Sequence, residues 1–379
     1  MDNGKKIRIL VILFNLKVAN GVSSFIMNYF RKLDHNTMTM DFVVYQDAES
    51  PYYEEIRKQG SHIYTIPSIK RFKDHMTACQ KIIAEGKYDI IHDNILILST
   101  GLMYYAQKMG IPVRILHSHN SELGATSWKK IRNRLFLPLL VRQATDYFAC
   151  SDLAADCMFG KKEYTFIPNV VDGTKLQFKQ KIRDAVRQNF DASNKIVLIT
   201  VGRLAEQKNP FYAIDVVNEL KKNNKDIEYW WVGDGPLENK IKEYIKATHA
   251  GSYIHLLGRR TDVSELYQGA DVFFLPSFYE GLPVTGVEAQ ATGLPCFVSD
   301  TITQQFIYTD LVKTFSLKNS PEDTAKILAQ WLVTIHLNKD RVKYSSILDK
   351  SLFSNQNSGK FLEAAYVKLL KNHQNKSKE

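Results

Sequence analysis

Asp271-Val272-Phe273-Phe274-Leu275-Pro276 runs through Ser277 into Phe278-Tyr279-Glu280-Gly281-Leu282-Pro283-Val284-Thr285-Gly286-Val287-Glu288-Ala289-Gln290-Ala291-Thr292-Gly293-Leu294-Pro295. The first piece is an apolar run of strand length, and the second turns into a helical pattern near Pro283. The construction is strand, short loop, helix N-terminus. A helix start carries free N–H groups and partial positive charge, so it suits a phosphate. Gly281 and Gly286 allow the backbone to come close to a ligand. Glu288 falls about one turn into the helix, where a carboxylate can accept hydrogen bonds from two neighbouring hydroxyls, as on a ribose. Glu280 falls on the loop, at the mouth of the expected cleft.

Outward from this unit, short apolar runs alternate with helical patterns along the chain. Strands are expected at 7–14, 40–45, 62–66, 90–93, 114–118, 147–149 and 165–167, then at 196–201, 228–232, 254–256, 272–275, 296–299 and 312–315. Amphipathic segments fall between them, among them 23–33, 52–59, 74–84, 210–223, 238–250 and 263–268. That alternation predicts an α/β protein with parallel sheets and right-handed crossovers. The pattern breaks between Pro168 and Asn194, a polar span without strand character that reads as an interdomain connection with a helix. Two doubly wound domains facing each other across a cleft follow, with ligands at the carboxyl ends of the strands.

Two glutamates separated by seven residues mean little alone. Their frame is specific: Pro276 before, Gly281-Leu282-Pro283 within, Gly293-Leu294-Pro295 after. This stretch resembles the E-x7-E element of the retaining GT-B glycosyltransferases, in particular the large family numbered four, also called group 1. The resemblance implies a GT-B fold of two Rossmann-like domains, residues 1–170 and 171–357. The segment 358–379 would cross back onto the first domain, 358–371 of it as the last helical pattern.

The strand at 196–201 is followed by Gly202-Arg203-Leu204-Ala205-Glu206-Gln207-Lys208-Asn209-Pro210. Arg203 offers a planar fork and Lys208 a compact charge, the usual diphosphate binders. In the resembled family such a pair holds the donor diphosphate in place of a metal. Trp231-Val232-Gly233-Asp234-Gly235-Pro236 and Leu257-Gly258-Arg259 follow the next strands; by the same resemblance they lie near the nucleotide base. Asn20-Gly21-Val22-Ser23-Ser24 resembles the family's Gly-rich loop of the first domain. It departs from the pattern at Asn20 and Ser23, and the resemblance implies phosphate contact here through Gly21. Asn tolerates positive φ, so the expected turn survives. Phe25 to Arg31 resembles members that build capsular and exopolysaccharide repeats. Leu116-His117-Ser118-His119 ends a strand, and its alternating histidines share one side. Similar members carry a His here near the donor sugar. His92 is the weaker candidate.

The resemblance thus implies a metal-independent, retaining transferase of a sugar from a nucleoside diphosphate, UDP favoured over GDP. Its acceptor would be a lipid-linked saccharide in capsular or exopolysaccharide synthesis. Glu280, His119 and His117 would stand at the reacting sugar. Arg203, Lys208 and the backbone of Gly281, Leu282, Pro283, Val284 and Thr285 would hold the diphosphate, with Glu288 on the ribose. The alternatives are a phospholipid or teichoic acid acceptor, or a catalytically silent GT-B scaffold of a polysaccharide complex. No Asp-x-Asp metal motif and no further cofactor signature is present.

The composition bounds this reading. With 379 residues, each of two domains is large enough for its own core. The net charge of +10 suits nucleotide phosphates, an anionic membrane surface or nucleic acid. No zinc-finger, helix-turn-helix or RNA-binding pattern supports the last. Cations interleave with apolar residues at Lys70-Arg71-Phe72-Lys73 and at Trp128-Lys129-Lys130-Ile131-Arg132-Asn133-Arg134, as in an interfacial segment. The run Lys5-Lys6-Ile7-Arg8 to Phe14 imitates a signal peptide but reads better as a buried first strand. No run is long enough to span a bilayer. A cytoplasmic protein, peripheral at the inner membrane face, is expected. Cys79, Cys150, Cys157 and Cys296 lack zinc or disulfide spacing and read as reduced, buried thiols. Residues 372–379 read as a frayed polar tail.

Overall fold

The computed structural model describes residues 6–18, 20–47, 50–95, 97–124, 127–223, 226–335 and 340–376. Lys5, the side chain of Lys129 and the last three residues of the expected tail lie outside them. The chain divides into two compact units: Met1–Val170 with Asn355–Glu379, and Val171–Ser354.

The first unit runs β1 (Ile7–Leu13), α1 (Gly21–Phe30), β2 (Met38–Val44), α2 (Pro51–Lys58), β3 (Ile63–Thr65), α3 (Phe72–Gly86), β4 (Ile90–Asp93), α4 (Thr100–Lys108), β5 (Val113–Ser118), α5 (Ser127–Gln143), β6 (Asp146–Ala149), α6 (Asp152–Phe159) and β7 (Thr165–Phe166). Its seven strands form one sheet in the order β3-β2-β1-β4-β5-β6-β7. All pairs are parallel, with Ile9 opposite both Met40 and Ile90. Ile9 to Leu13 are buried throughout because helices cover both faces of a doubly wound sheet. Alternate residues therefore enter two cores: Ile9, Val11 and Leu13 on one side, Leu10 and Ile12 on the other.

The second unit runs α7 (Gln180–Asn189), β8 (Ile196–Val201), α8 (Pro210–Asn223), β9 (Ile227–Val232), α9 (Glu238–Ala247), β10 (Ile254–Gly258), α10 (Val263–Gly269), β11 (Val272–Leu275), α11 (Val284–Ala291), β12 (Cys296–Ser299), β13 (Val312–Phe315), α12 (Pro321–Thr334) and α13 (Lys343–Lys350). Its six-stranded parallel sheet has the order β10-β9-β8-β11-β12-β13. Helix starts follow local chemistry. Ser320 caps α12 by accepting from Asp323 N–H, and Pro321 supplies the preset φ of a first helical residue.

The chain ends in α14 (Ser358–Lys376), which packs Leu362, Tyr366, Leu369 and Leu370 into the core of the first unit. Helix therefore continues through most of the expected frayed tail. His373 Nε2 lies 2.8 Å from Asp146 Oδ2, and that contact pins the last turns. Two further expectations are corrected. Asn20 has φ −97°, not a positive value: it is the cap of α1, its Oδ1 accepting from Val22 N–H and Ser23 N–H. Cys79, Cys150 and Cys296 are buried, but Cys157 is only half-buried on α6.

Candidate active site

In the second sheet the strand order reverses between the paired strands β8 and β11. Ligands of doubly wound sheets bind outside the carboxyl ends of strands at such a reversal. Residues 202–209 leave β8 here, and residues 276–283 leave β11. The two loops are tied together. Phe278 N–H donates to the Gln207 carbonyl at 2.9 Å, and Gln207 Nε2 donates to the Tyr279 carbonyl at 2.9 Å. Gln207 Nε2 also reaches Glu280 Oε2 at 3.3 Å.

Lys208 Nζ meets Glu280 Oε1 at 2.5 Å, with side-chain exposures of 13% and 9%. The stem of Lys208 crosses Gly202, where a Cβ would lie 2.8 Å from Lys208 Cε. Glu280 lies on the loop, as expected, and is only 7% exposed. Its carboxylate turns inward because the Lys208 ammonium and the Gln207 amide replace the hydrogen bonds lost with water. Arg203 is exposed, with no ion-pair partner among the described residues.

Helix α11 starts at Pro283 without a side-chain cap. The amides of Gly286 and Val287 donate to the Pro283 carbonyl, at 2.9 and 3.1 Å. The amides of Val284 and Thr285 precede the first intrahelical bond and point out of the helix start. Thr285 Oγ1 and Ser277 Oγ are buried and have no partner among the described residues. Unmade bonds at a helix start are what an oxyanion fills. Gly286 itself does not provide the expected close approach to a ligand. A Cβ there would lie 2.8 Å from the Phe306 ring, so the glycine serves packing.

Glu288 is half-buried one turn into α11 and accepts a bond of 3.1 Å from Tyr267 Oη. Burial pushes its carboxyl up to about 7, and the tyrosine bond opposes that only in part. The loops after β8, β9 and β10 stack on one another. Gly233 has φ +130°, and a Cβ on it would lie 2.2 Å from the Gly202 carbonyl oxygen. Only glycine fits there. Gly233 N–H donates to the Gly258 carbonyl at 2.8 Å, and Trp231 Nε1 to the Gly202 carbonyl at 3.0 Å. Asp234 is taken by Arg259 at 2.6 Å on the surface.

In the first unit the order reverses between β1 and β4. A cavity of about 270 Å³ opens near these strand ends, lined by Phe14, Asn94, His117 and His119 among others. The rings of His117 and His119 stack at 4.0 Å, and His92 stacks on His117 at 5.1 Å. Desolvation first, and His119 second, hold His92 at about 3; desolvation first, then His119 and His92, hold His117 well below its usual range. Burial alone takes His119 to about 3. All three are neutral at pH 7. Gly21 opens α1, but the cap from Asn20 occupies the amides of Val22 and Ser23 that a phosphate would need.

The Glycosyl transferases group 1 family model matches residues 181–346. The chain is 30% identical over 320 residues to the Bacillus subtilis protein EpsF, named as a glycosyltransferase, covering 80% of this chain and 82% of that one. The chain belongs to the group 1 glycosyltransferases. It is 31% identical over 258 residues to an Escherichia coli enzyme named UDP-Gal:alpha-D-GlcNAc-diphosphoundecaprenol alpha-1,3-galactosyltransferase, covering 62% of this chain and 63% of that one. HepE of Anabaena, solved in complex with UDP, superposes with a TM-score of 0.78 at 15% identity, covering 96% of this chain and all of its own. That likeness shows the GT-B fold.

In this glycosyltransferase the second unit thus brings Gly202, Arg203, Lys208, Glu280 and the start of α11 to one strand reversal. His117 and His119 gather at the reversal of the first. Gln207, Tyr267, Asn94 and Tyr366 escaped sequence reasoning. Gln207 lies inside a quoted motif and was legible as a polar residue one before Lys208. The other three carry no motif and become visible only as partners. Among the described residues no group of three His, Cys, Asp or Glu is placed to hold a metal. No described helix is long and apolar enough to cross a membrane.

Proposed function

We propose that this glycosyltransferase transfers a sugar, with retention and without a metal, from a UDP-sugar to a lipid-linked saccharide in surface-polysaccharide synthesis. The observation that carries the donor side is the buried Lys208–Glu280 pair beside the uncapped start of α11. The diphosphate would take the amides of Val284 and Thr285 with Arg203 and Lys208, and the ribose would take Glu288. Stabilisation of charge on the departing diphosphate is the term that usually dominates such catalysis. The acceptor hydroxyl attacks the anomeric carbon on the face the leaving group vacates. The new carbon–oxygen bond forms there as the bond to the diphosphate breaks, and the hydroxyl proton passes to a diphosphate oxygen. Glu280 would contact the donor sugar only if the sugar displaces part of its bond to Lys208.

The acceptor reading rests on relatives. The Escherichia coli enzyme's name specifies a diphosphoundecaprenol-linked acceptor, and a Campylobacter jejuni relative, 26% identical over 228 residues, is named for a PP-undecaprenol-linked one. Helix α5 supports attachment to the membrane that holds such lipids. Trp128, Ile131, Leu135 and Leu139 form an outward stripe, with Trp128 and Leu135 each 72% exposed. Arg132, Arg134 and Arg142 are exposed on the same helix, while Lys130 is paired with Glu122 at 2.7 Å. On α3, Phe72 is exposed beside Arg71 and Lys73. Aromatics that insert and cations worth about 1 kcal/mol each suit an anionic surface. A peripheral place at the inner membrane face follows from this reading.

A panel of UDP- and GDP-sugars tests the donor side by thermal stabilisation. A ligand at a hundred times its Kd stabilises by about 2.7 kcal/mol. A UDP-sugar that raises Tm and is then turned over on a polyprenol-diphosphate saccharide supports the proposal. Transfer only to phospholipid or teichoic acid moves the acceptor, and binding without turnover leaves a scaffold.

A further inference from the structure

Tyr267 of α10 is fully buried, and its Oη lies 3.1 Å from Glu288 Oε2, the hydroxyl's one partner among the described residues. Burial first, and the neighbouring carboxylate second, keep the phenol protonated. A buried O–H must donate if it is to be satisfied, and Glu288 Oε2 accepts its single proton. Glu288 Oε1 has no partner among the described residues. The two oxygens of this carboxylate therefore differ: one is committed to the protein and the other is open. A proton taken up by the carboxyl goes to Oε1, because Oε2 is already accepting, and it turns the open acceptor into a donor.

The tyrosine is held in place from behind. The last carbonyls of a helix lack partners within it, and here every carbonyl from Tyr267 to Ala270 accepts from a guanidinium. Arg341 Nη2 donates to that of Tyr267 at 2.9 Å, and its Nη1 to those of Gln268 and Ala270 at 3.3 and 3.0 Å. Arg183 Nη1 serves Gln268, Gly269 and Ala270, and Arg187 Nη1 serves Gly269. Arg341 Nε also donates to the Thr292 carbonyl at 3.0 Å, at the end of α11. One buried side chain thus ties together the ends of the helices that carry Tyr267 and Glu288. The Tyr267 ring packs edge-on against Phe273 of β11, with centres 6.1 Å apart. The elements packed against α11 are β11, β12, the turn Gln304–Phe306 and α13. Of their titratable groups, burial keeps Cys296 of β12 a thiol, and Lys343, Tyr344, Asp349 and Lys350 belong to α13. None of these acts on the Glu288 carboxyl; beyond desolvation, the Tyr267 bond is the one influence on it.

We propose that Tyr267 is a positioning residue for nucleotide binding: its hydroxyl holds Glu288 Oε2, favours the charged carboxylate and leaves Oε1 open to a nucleotide hydroxyl. The nucleotide half rests on the sugar-transfer reading above; the hold of the tyrosine on the carboxylate does not.

Carbon NMR on protein labelled at the glutamate carboxyl carbon, without nucleotide, follows the Glu288 titration, and Glu288→Gln identifies its signal. The midpoint should lie at about 7. In Tyr267→Phe, which keeps the buried ring, it should rise by about one to two pH units, the worth of a hydrogen bond to a charged group. An unmoved midpoint in the folded variant overturns the proposal. With label at tyrosine Cζ in the unaltered protein, one tyrosine signal should move with the same midpoint as Glu288; the absence of such a signal overturns the hold even if the variant does not fold. UDP affinity is then compared between unaltered protein and Tyr267→Phe by calorimetry at matched pH, so that ionisation of UDP itself cancels. The variant should bind about fivefold to fiftyfold more weakly near pH 7, and to within about twofold near pH 9.5, where its carboxyl has ionised. A deficit of the same size at both pH values marks a lost packing contact and overturns the positioning role. A shifted midpoint with equal UDP affinities throughout sinks the nucleotide half and leaves the hold standing. Weakened UDP binding in Glu288→Gln, with neither midpoint nor affinity changed in Tyr267→Phe, upholds the donor reading and sinks this proposal.

Discussion

The two sheets reverse their strand order in the same way, yet their reversal points carry opposite chemistry. Outside β8 and β11 lie an ion pair, an arginine with no ion-pair partner among the described residues, and a helix start with no side-chain cap. Outside β1 and β4 lie three neutral imidazoles and a helix start closed by Asn20. Both helix starts follow a strand and a short loop, so backbone topology does not distinguish them. The cap does. In α1 the Asn20 oxygen has taken the amides that an anion would use, and in α11 Pro283 has no side chain able to do so. The comparison teaches that a doubly wound unit is not a phosphate site by virtue of its fold. What suits one to a phosphate is first-turn amides left open with cations nearby, and that is the basis of the proposed donor site at α11.

The strongest way to break this comparison is to remove the ion pair. Lys208→Met and Glu280→Gln should each lower kcat by about a hundredfold to a thousandfold, the range seen when an electrostatic stabiliser is lost. The double variant should lose little more than either single one, because one buried pair is being dismantled. Fully additive losses would show that the two side chains act separately.

Glu288→Ala should weaken UDP binding by about 1–3 kcal/mol while the fold survives. Equal affinity in this variant would remove Glu288 from the ribose. The carboxyl of Glu288 is held at about 7 by burial, above its ordinary value. A raised carboxyl favours the folded state below the ordinary carboxyl range, and that contribution is lost as pH rises through about 7. Ribose hydroxyls donate best to the ionised form. UDP affinity should therefore rise as pH climbs through about 7, beyond the change from the terminal phosphate of UDP itself. Titration calorimetry on Glu288→Gln supplies the subtraction: a slope that persists unchanged there belongs to the nucleotide.

Asn20→Ala sharpens the contrast from the other side. It should cost about 1 kcal/mol of stability, the worth of a cap, and leave UDP affinity alone. A gain in UDP affinity on uncapping would place a phosphate at α1. The smallest expected effect is that of chelation. Turnover should be unchanged in excess EDTA, because Arg203 and Lys208 supply the positive charge in the proposed mechanism. Activity lost to EDTA and restored by Mg²⁺ or Mn²⁺ would overturn that role.

Much of this was legible along the chain. Every strand expected in either unit is present within two residues of its expected ends, because a strand buried on both faces is an uninterrupted apolar run. Glu280, Glu288, Arg203 and Lys208 stand out because each sits just after a strand or at a helix start. Their pairing was not legible. Lys208 and Glu280 are far apart in sequence, and nothing in either motif says that the ammonium will turn from a phosphate position onto a carboxylate. Gly286 is a similar case, since the Phe306 ring that fills its space lies in a later segment.

What the sequence by itself determined is periodicity, punctuation and the residue types at strand ends, since these depend on neighbours a few positions away. What only the tertiary structure decided is protonation and partnership. Burial, which depends on the whole packed unit, puts Glu288 at about 7 and keeps three histidines neutral. The contacts of His92 with Tyr366 at 2.7 Å and with His117 at 2.9 Å join the last helix to β4 and β5. A hydrogen bond has a reach of about 3 Å and a direction. Such a contact exists only once the sheet and the returning helix have set both partners in place.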